Sequence, residues 1–566
     1  MKRKMGRLQD GNRKQPWNGV KGKNWRQWWI VMIVLALLAG MNYACSDEDP
    51  VKDDTENNDD NNKNPEEEEN NNTENKGTTE DEKVNKLVFD FLSDYYLWND
   101  AYKAQTLDFT LDYQTFFEKG IMNLKVNTLD VRPYETTDGY GNTVTKYTHF
   151  SYIQEIPDYT TTRAAYEKEK EMSFGFFGFY LFVSKKDKVS GDDYVSFLIK
   201  GVYPDSPAAN AGLDRGYILE TYNGKDIRLS NYLEVFSAIM YPTTSTTVTV
   251  AGYTSKNGVD SATKSYTLTS EAIALNPILK AQTEQVGTHK VGYLCYASFE
   301  AGFDQELLNE FKKFKSEGIT DLVIDLRYNH GGYVVSANLM ATCVAGTQSD
   351  NKVFAEYRYN DTRMKALGNQ RPQEMFGQKL SLTQSIADGK LNLSKVYILT
   401  GAESASSSEL VINALRGIDV EVYLIGQNTT GKNVGMEVMR IGKNESKGKD
   451  LEKTYEIAPI TFQSYNAKGF GDYQDGFKPD MVVDETYPFN MENFSIYRPF
   501  GSQEEYLYGF ALEKITGQTI IQRPSNTRSV VETSATVPVA SSRRLTAPLP
   551  RKGGMIKMGV NTELTE

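Results

Sequence analysis

Two short apolar runs, at residues 322–326 and 396–400, constrain the fold of this chain more than any other feature. Runs of this length and continuity are typical of strands that are buried on both faces, whereas half-exposed strands alternate apolar and polar residues. An apolar series at helical spacing precedes the first run, and Gly318 is placed to end that helix. Strands that alternate with helices predict an α/β fold over about residues 273–500.

The chain is long enough for several domains. It has 566 residues, and single hydrophobic cores stop growing at roughly 250 to 300 residues. The 35 Tyr and 26 Phe indicate that most of it folds, because disordered chains are poor in aromatic residues. Three cysteines cannot form a disulfide framework or an all-thiolate zinc site, and the three histidines are not spaced as metal ligands. We therefore expect no metal and no cofactor.

Charge is segregated along the chain. Residues 1–44 have a net charge of +8, residues 46–82 have −13, and the remainder has −7. Binding to nucleic acid requires clustered basic residues on the folded part of a protein. The weakly acidic body therefore predicts that nucleic acid is not a partner.

The first 44 residues are predicted to be an export signal. Fourteen uncharged residues, 28–41, follow a basic stretch, and this is short of the about 20 residues that span a membrane. Cys45 stands where cleavage would occur, which resembles a bacterial lipoprotein signal, although Asn42 replaces the usual leucine. The resemblance implies a lipidated Cys45 and an anchor in the outer membrane, on its periplasmic or surface face. The alternative is an uncleaved signal anchor in which Cys45 is an ordinary thiol.

Three further segments flank or precede the main body. Residues 45–82 are almost devoid of apolar residues and are predicted to be a disordered acidic tether. Residues 83–172 open with apolar residues at helical spacing and are predicted to form a small helical and aromatic domain, to which no chemistry is assigned. Residues 521–566 contain four prolines and seven Lys/Arg against three acids, and we expect a mostly disordered tail.

Residues 173–270 show a set of local signals that belong together. Ser206 is placed to cap a short helix with Pro207 at its first position, and Gly212 to end it. Asn223 and Gly224 are typical of a tight hairpin turn. Before them, two glycines among aromatic residues precede a predicted strand. These signals predict a compact unit rich in strands.

This unit resembles a PDZ domain, and the segment 176–179 is similar to the PDZ loop that binds carboxylates. The resemblance implies that backbone amides of Phe177, Gly178 and Phe179 hold the C-terminal carboxylate of an extended peptide, which adds a strand to the sheet edge. Peptides with a free, apolar C-terminus would be the ligands. The alternative is a strand entry without a ligand.

Two segments after predicted strands carry groups suited to acyl transfer. Serines 404 and 406–408 precede an apolar helix face, and the N-terminus of a helix stabilises developing negative charge. Any one serine there is also a common helix cap. Lys432 follows the strand predicted at 420–426. Because neither segment contains a histidine, a buried lysine is the available base, since burial lowers a lysine pKa toward 7 or 8.

Three motifs taken together resemble those of the C-terminal processing peptidases, also called tail-specific proteases: Asp325-Leu326-Arg327-x-Asn329-x-Gly331-Gly332, Ser404-Ala405-Ser406-Ser407-Ser408-Glu409 and Gly431-Lys432-Asn433-Val434-Gly435. The resemblance covers about residues 173–485. It implies a crotonase-like peptidase core, residues 271–520, with an inserted PDZ domain.

The resemblance also assigns roles. Ser406 would be the nucleophile and Lys432 the general base, with an oxyanion hole formed by the backbone N–H groups of Gly331, Gly332 and Ser407. Ser404, Ser407 and Ser408 stay open as alternative nucleophiles. Many members of the family carry a glutamine four residues after the lysine, where this chain has Met436. Another group must then orient the lysine.

The implied function is that of a serine endopeptidase that cleaves polypeptides near C-terminal tails, which a PDZ domain selects. The alternative is an inactive peptide-binding scaffold of the cell envelope. The presence of both Ser406 and Lys432 argues against the scaffold, and Met436 argues for it. His330 lies inside the glycine motif at a position that varies in the family, so we assign it no catalytic role. Cys295 and Cys343 are expected to be buried core thiols.

Overall fold

The structure is a computed structural model. It describes residues 76–124, 129–137, 143–156, 168, 170–256, 259–368, 370–377, 380, 384–485, 497–521, 544–545 and 555–557. The predicted export signal, Cys45 and most of the predicted tether lie outside the described residues. None of the helices in these ranges is long and apolar enough to cross a bilayer.

The α-helices are α1 Thr79–Tyr95, α2 Asn99–Lys103, α3 Tyr113–Met122, α4 Pro207–Asn210, α5 Tyr232–Met240, α6 Asp304–Glu317, α7 Val334–Ala345, α8 Asp361–Ala366, α9 Ser407–Gly417 and α10 Tyr506–Thr516. Short 3-10 helices lie at Ala301–Phe303, Gly346–Ser349 and Ala387–Gly389.

The strands in the first half of the chain are β1 Val131–Thr137, β2 Thr143–His149, β3 Tyr152–Ile156, β4 Glu171–Ser173, β5 Phe176–Lys185, β6 Tyr194–Val202, β7 Tyr217–Tyr222, β8 Lys225–Asp226, β9 Thr247–Lys256, β10 Val259–Asp260, β11 Lys264–Thr269, β12 Glu271–Ile273 and β13 Ile278–Val286. Those in the second half are β14 His289–Tyr296, β15 Asp321–Asp325, β16 Gly332–Tyr333, β17 Val353–Arg358, β18 Gln373–Met375, β19 Lys395–Thr400, β20 Glu421–Gly426, β21 Val434–Glu437, β22 Met439–Ile441, β23 Thr454–Ala458, β24 Ile460–Tyr465, β25 Met481–Val482, β26 Arg544–Leu545 and β27 Met555–Lys557.

The N-terminal region combines helices with strands. Helix α1 begins at Thr79, inside the predicted tether, because Thr78 and Asp81 form a capping box with Thr78 N–H 2.6 Å from Asp81 Oδ2. Strands β1 and β2 form an antiparallel hairpin, and β3 pairs with β23 of the main body. The region is therefore helical only in its first half, and its last strand belongs to a sheet of the main body.

The middle region is an antiparallel sheet with two helices. Its strand order is β10-β9-β7-β6-β5, and β11 and β8 pair with β9 and β7. The predicted local signals are observed: Ser206 Oγ accepts a hydrogen bond from Ala209 N–H at 3.3 Å, and Asn223 and Gly224 have φ of 50° and 74°. The PDZ assignment of this region stays a prediction.

The main body contains a six-stranded sheet in the order β13-β14-β15-β19-β20-β25. All neighbours from β14 onward are parallel. The two apolar runs form β15 and β19, and helix α6 ends at Gly318 in the left-handed conformation. Helices α6, α7 and α9 bury their apolar residues in one core with this sheet. The α/β fold predicted for this region is confirmed.

The three sequence motifs leave from the same edge of this sheet. The Asp325–Gly332 segment follows β15, the serine segment follows β19, and the lysine segment follows β20. Since these strands are adjacent and parallel, their carboxyl ends lie side by side. A second six-stranded sheet, in the order β16-β27-β21-β24-β17-β18, begins beside these segments. The fold thus brings the three motifs together.

Candidate active site

Ser406 lies at a strained turn before helix α9. Its φ and ψ are 60° and −110°, a conformation that costs a non-glycine residue energy and clusters at functional sites. The side chain is fully buried. A Cβ on Gly331 would lie 2.9 Å from Ser406 Cβ and 3.0 Å from Ser407 N, so only glycine fits opposite the turn. The sequence motifs after β15 and β19 are therefore in direct contact.

The four candidate serines differ in the hydrogen bonds of their hydroxyl groups. Three of them donate to backbone carbonyls: Ser404 to Leu326 at 2.7 Å, Ser407 to Gly332 at 2.7 Å and Ser408 to Asn329 at 2.9 Å. Ser406 Oγ is buried and has no hydrogen-bond partner among the described residues. The geometry thus leaves Ser406 as the one serine of this turn whose hydroxyl is not already used to hold the structure.

Glu409 joins the serine turn to the lysine loop. Its buried carboxylate accepts hydrogen bonds from the N–H groups of Ser406 at 2.9 Å, Gly431 at 2.6 Å and Lys432 at 2.7 Å, and from Thr429 Oγ1 at 2.6 Å. Burial raises the pKa of Glu409, although these donors oppose the rise. Sequence analysis placed Glu409 in a motif without a role. Its position three residues into the helix was the available signal, because a glutamate there binds the cap residue's N–H.

Lys432 is buried, with 1% of its surface exposed. Burial lowers its pKa to about 7, and the positive charge of Arg132 acts in the same direction, while Asp130 and Glu409 oppose it. The Nζ atom lies 4.2 Å from the centroid of the Phe150 ring. Desolvation therefore outweighs the attraction of the nearby carboxylates, and the lysine can be neutral near pH 7, as a general base requires.

Residues of the N-terminal hairpin and its ends pack on the lysine loop. The sequence did not predict this contact. Arg132 donates to the carbonyl oxygens of Gly431 at 2.6 Å and Thr430 at 3.1 Å. Asp130 accepts from the N–H groups of Phe150 at 2.8 Å and Ser151 at 3.0 Å and so fixes the ring that faces Lys432. Neither residue lies in a recognisable motif, and only tertiary structure brings them to the lysine.

Met436 occupies the position four residues after Lys432. Met436 is 1% exposed and pairs with Ile460 in the sheet. An apolar side chain at this position has no polar group with which to hold the lysine. Arg132 and Phe150 of the N-terminal region contact the lysine loop, at Gly431 and at Lys432.

The predicted oxyanion residues lie around Ser406. Gly331 and Gly332 have φ of 107° and 134°, and Ser407 N–H is in the first turn of α9, where no carbonyl of the helix accepts it. Gly331 N–H donates to Asn329 Oδ1 at 2.8 Å. In this arrangement the Gly331 donor is occupied by a side chain.

His330 is directed to a different contact. Its Nε2 lies 3.5 Å from Glu403 Oε2, and Glu403 Oε1 is 2.5 Å from Lys200 Nζ of the middle region. Burial lowers the pKa of His330. This chain of charges connects β6 of the middle region to the serine turn and does not include the Ser406 hydroxyl.

A buried cluster of charged side chains lies beside the strand end that precedes the glycine segment. Arg327 Nη1 is 2.6 Å from Glu505 Oε1 and 2.7 Å from Glu485 Oε2, and Arg215 of the middle region is 2.9 Å from Glu485. Burial of such charges is tolerated because each is paired. The cluster fixes the strand end that leads to Gly331 and Gly332.

The residues predicted to bind a carboxylate lie at the start of β5. Gly178 pairs with Gly201 and Phe179 with Ile199, and the register is irregular on both sides of Gly178. The Phe177 ring is 6.0 Å from the Tyr328 ring, next to the glycine segment. The carboxylate-binding role of these amides stays a prediction.

Cysteine and metal chemistry find no support in the described ranges. Cys295 and Cys343 are buried, and burial raises the pKa of both thiols. Across these ranges, no group of three or more His, Cys, Asp or Glu is placed to bind a metal ion.

Comparison with known proteins identifies the class. Residues 290–483, which contain all three motifs, match peptidase family S41. The crystal structure of a Bacteroides fragilis protein assigned to the S41 proteases is 26% identical, with a TM-score of 0.58 over 76% of this chain and 97% of that one. This segment is therefore an S41 peptidase domain.

Curated relatives narrow the family further. The chain is 23% identical over 260 residues to carboxyl-terminal-processing peptidase 1, chloroplastic, of Arabidopsis thaliana, covering 46% of this chain and 48% of the relative. It is 24% identical over 323 residues to the carboxyl-terminal-processing protease of a Picosynechococcus species, covering 57% and 67%. The chain thus spans from about half to two thirds of these relatives. The predicted resemblance to the carboxyl-terminal-processing peptidases is confirmed.

Proposed function

We propose that the chain is a serine endopeptidase in which Ser406 and Lys432 form a catalytic dyad. The observation that carries the proposal is that a buried Ser406 hydroxyl, with no hydrogen-bond partner among the described residues, and a buried lysine whose pKa is lowered to about 7 belong to loops that the same carboxylate holds. Glu409 binds the backbone of both residues and so fixes one relative to the other. The S41 family match supports the same chemistry.

The reaction follows from these groups. Ser406 Oγ attacks the carbonyl carbon of the scissile bond while neutral Lys432 takes the hydroxyl proton. The lysine then gives this proton to the leaving amine, and an ester with Ser406 remains. Water hydrolyses the ester with Lys432 again acting as base, which restores both side chains.

The developing oxyanion requires N–H donors near Ser406. Ser407 N–H at the start of α9 and Gly332 N–H are the donors best placed by their backbone, and Gly331 joins them once Asn329 releases it. Removing one such donor costs about 3 to 4 kcal/mol of transition-state stabilisation in other enzymes.

Cleavage near C-terminal tails is the substrate preference that the resemblance favours. An extended tail adds to the edge of β5, and amides of Phe177, Gly178 and Phe179 hold its carboxylate beside an apolar pocket. Amidating a peptide that ends in Val removes a charged hydrogen-bond acceptor worth roughly 1.5 to 3 kcal/mol, about ten- to a hundredfold in affinity. Equal binding of acid and amide by the Ser406→Ala protein would contradict carboxylate recognition.

Location follows from the predicted export signal. We place the enzyme in the cell envelope, anchored in the outer membrane by a lipid on Cys45. The test is incorporation of a labelled fatty acid, which we expect in the unaltered chain and not in Cys45→Ala. A label retained by Cys45→Ala would rule out this anchor.

The main test measures hydrolysis of β-casein, an unfolded polypeptide, by purified variants. Ser406→Ala removes the nucleophile and Lys432→Arg the base, because a guanidinium keeps its proton at any usable pH. We expect both to be at least a thousandfold slower than the unaltered protein. Ser404→Ala is the matched control: it loses only a hydroxyl that supports the turn and should stay within about tenfold.

The same assay decides between enzyme and scaffold. A scaffold predicts no hydrolysis by the unaltered protein together with intact peptide binding. If Ser406→Ala keeps its activity and Ser404→Ala or another serine variant loses it, the nucleophile is that other serine and not Ser406.

A further inference from the structure

An aromatic ring from the N-terminal region lies against the proposed base, Lys432. The Nζ atom of Lys432 is 4.2 Å from the centroid of the Phe150 ring, and the guanidinium carbon of Arg132 is 5.1 Å from the same centroid. Phe150 is half-buried, whereas Lys432 is buried. The ring therefore covers part of the lysine amine.

Asp130 fixes the position of this ring. Its buried carboxylate accepts hydrogen bonds from Phe150 N–H at 2.8 Å, Ser151 N–H at 3.0 Å, Ser151 Oγ at 2.5 Å and the Tyr96 hydroxyl at 2.8 Å. Ser151 Oγ in turn accepts from Ile460 N–H of β24 at 2.9 Å. Because β24 pairs with β21, which follows the lysine loop, Asp130 connects the ring to the sheet that carries the lysine loop.

Arg132 fixes the lysine loop from the same hairpin. Its guanidinium donates to the carbonyl oxygens of Gly431, Thr430 and Gln474, at 2.6, 3.1 and 3.3 Å. Arg132 and Asp130 are two positions apart in the chain, and one holds the loop while the other holds the ring. The hairpin thus sets the ring and the lysine loop relative to each other.

The charge of Lys432 changes during the proposed reaction. The lysine begins neutral and becomes an ammonium when it takes the Ser406 proton, and burial opposes this new charge. The face of an aromatic ring attracts a cation, and the attraction is stronger where water is excluded. Phe150 presents its face to Nζ, so it favours the ammonium at the step in which the ammonium forms.

The other charged groups near the lysine come from three elements. Burial lowers the pKa of Lys432, and of the charges that act on it Asp130 has the largest effect and raises it. Arg132 lowers this pKa, and Glu409 of α9 raises it. Burial lowers the pKa of His330 in the glycine segment, so His330 is neutral at pH 7. The residue that fixes the ring is therefore also the carboxylate that acts most strongly on the lysine.

We propose that the Phe150 ring stabilises the ammonium form of Lys432 during catalysis, and that Asp130 is the positioning residue that holds the ring against the lysine. The proposal rests on the Ser406–Lys432 dyad proposed above. In acylation the proton leaves Ser406 Oγ for Lys432 Nζ, and the ring lowers the energy of the cation so formed. When the lysine gives the proton to the leaving amine, the neutral base returns. The N-terminal region is thus part of the active site.

The test measures kcat and KM for β-casein hydrolysis by the purified full chain as a function of pH. Phe150→Leu removes the aromatic face and keeps an apolar side chain. We expect its profile to move to lower pH by about one unit, because a weaker attraction to the ammonium lowers the lysine pKa. On the alkaline plateau kcat should fall about three- to tenfold, with KM within about twofold. Phe150→Tyr keeps an aromatic face and should match the unaltered protein.

A matched control and a second variant separate the two roles. Phe109→Leu is the control, since Phe109 is also half-buried in the N-terminal region but packs against Phe89 and Phe116. It should leave the profile unchanged. Asp130→Asn should move the profile to lower pH, as Phe150→Leu does. In the variant that combines Asp130→Asn with Phe150→Leu, the two losses in kcat should not multiply, because Asp130 acts through the ring.

The outcomes distinguish this proposal from the dyad. Loosened packing would let water reach the lysine and move the profile to higher pH, toward the ~10.4 of free lysine. Such a shift in Phe150→Leu, or a profile equal to that of Phe109→Leu, overturns the role of the ring and leaves the dyad standing if Ser406→Ala is inactive. Losses in kcat that multiply overturn the role of Asp130. If Ser406→Ala is as active as the unaltered chain, the dyad fails and this proposal fails with it.

Discussion

Lys432→Met should change the pH dependence of stability in a calculable way. An unfolded lysine keeps its proton up to about pH 10.4, whereas buried Lys432 has a pKa of about 7. Between these values the unfolded state binds more protons than the folded state, so this residue makes the protein more stable as pH rises. Methionine fills a similar volume and does not titrate.

The magnitude follows from the two pKa values. Raising the pH from 6 to 9 should relieve the Lys432 penalty by about 2 to 3 kcal/mol in the free energy of unfolding. At pH 6 the free energy of unfolding of Lys432→Met should exceed that of its parent by the largest margin. At pH 9 this margin should be smaller by about 2 to 3 kcal/mol. It should also be inactive, since stability is traded here for a reactive group.

The assay is urea unfolding followed by far-UV circular dichroism at several pH values, with Ser406→Ala as parent so that self-digestion cannot interfere. Lys478→Met, at an exposed position of the same domain, is the control and should show no comparable change. A pH-independent difference between Lys432→Met and its parent would refute the lowered pKa, and with it the neutral-lysine base.

Further predictions address the same site. The value of kcat/KM for a peptide substrate should rise with pH through an apparent pKa near 7, and a profile flat from pH 5 to 9 would contradict this. Arg132→Gln removes a positive charge that lowers the Lys432 pKa, so the profile should move to higher pH; Arg132→Lys should move it less, and an equal shift would show that charge is not the cause. Chelators and thiol reagents should leave activity unchanged, because Cys295 and Cys343 are buried; zinc-dependent recovery after chelation would point to a metal enzyme.

The sequence predicted those parts of the molecule that local patterns determine. The strands that became β15 and β19 were visible because strands covered on both faces need continuous apolar residues. The Ser206 cap and the Asn223-Gly224 turn were visible because each uses residues with a specific backbone preference. Ser406 and Lys432 came from the resemblance to the C-terminal processing peptidases, and both residues follow strands, β19 and β20, that are adjacent and parallel.

The features that the sequence did not predict depend on contacts between segments that are distant along the chain. Nothing local in Asp130, Arg132 or Phe150 marks them as neighbours of Lys432, because their role arises when the N-terminal hairpin packs on the lysine loop. The strand at Met555 was missed for a related reason. The strand is only three residues long, too short to show a periodic pattern, and its pairing partners lie far away in the sequence.

Covalent labelling with a fluorophosphonate, followed by peptide mapping, tests the central claim most directly. The reagent reacts with a serine hydroxyl only where a base activates it and N–H donors hold the phosphonyl oxygen. The account predicts one phosphonyl group on Ser406, at a rate that falls at least a hundredfold in Lys432→Met at pH 8. Labelling of Ser404, Ser407 or Ser408 instead, or a rate unchanged in Lys432→Met, would contradict it.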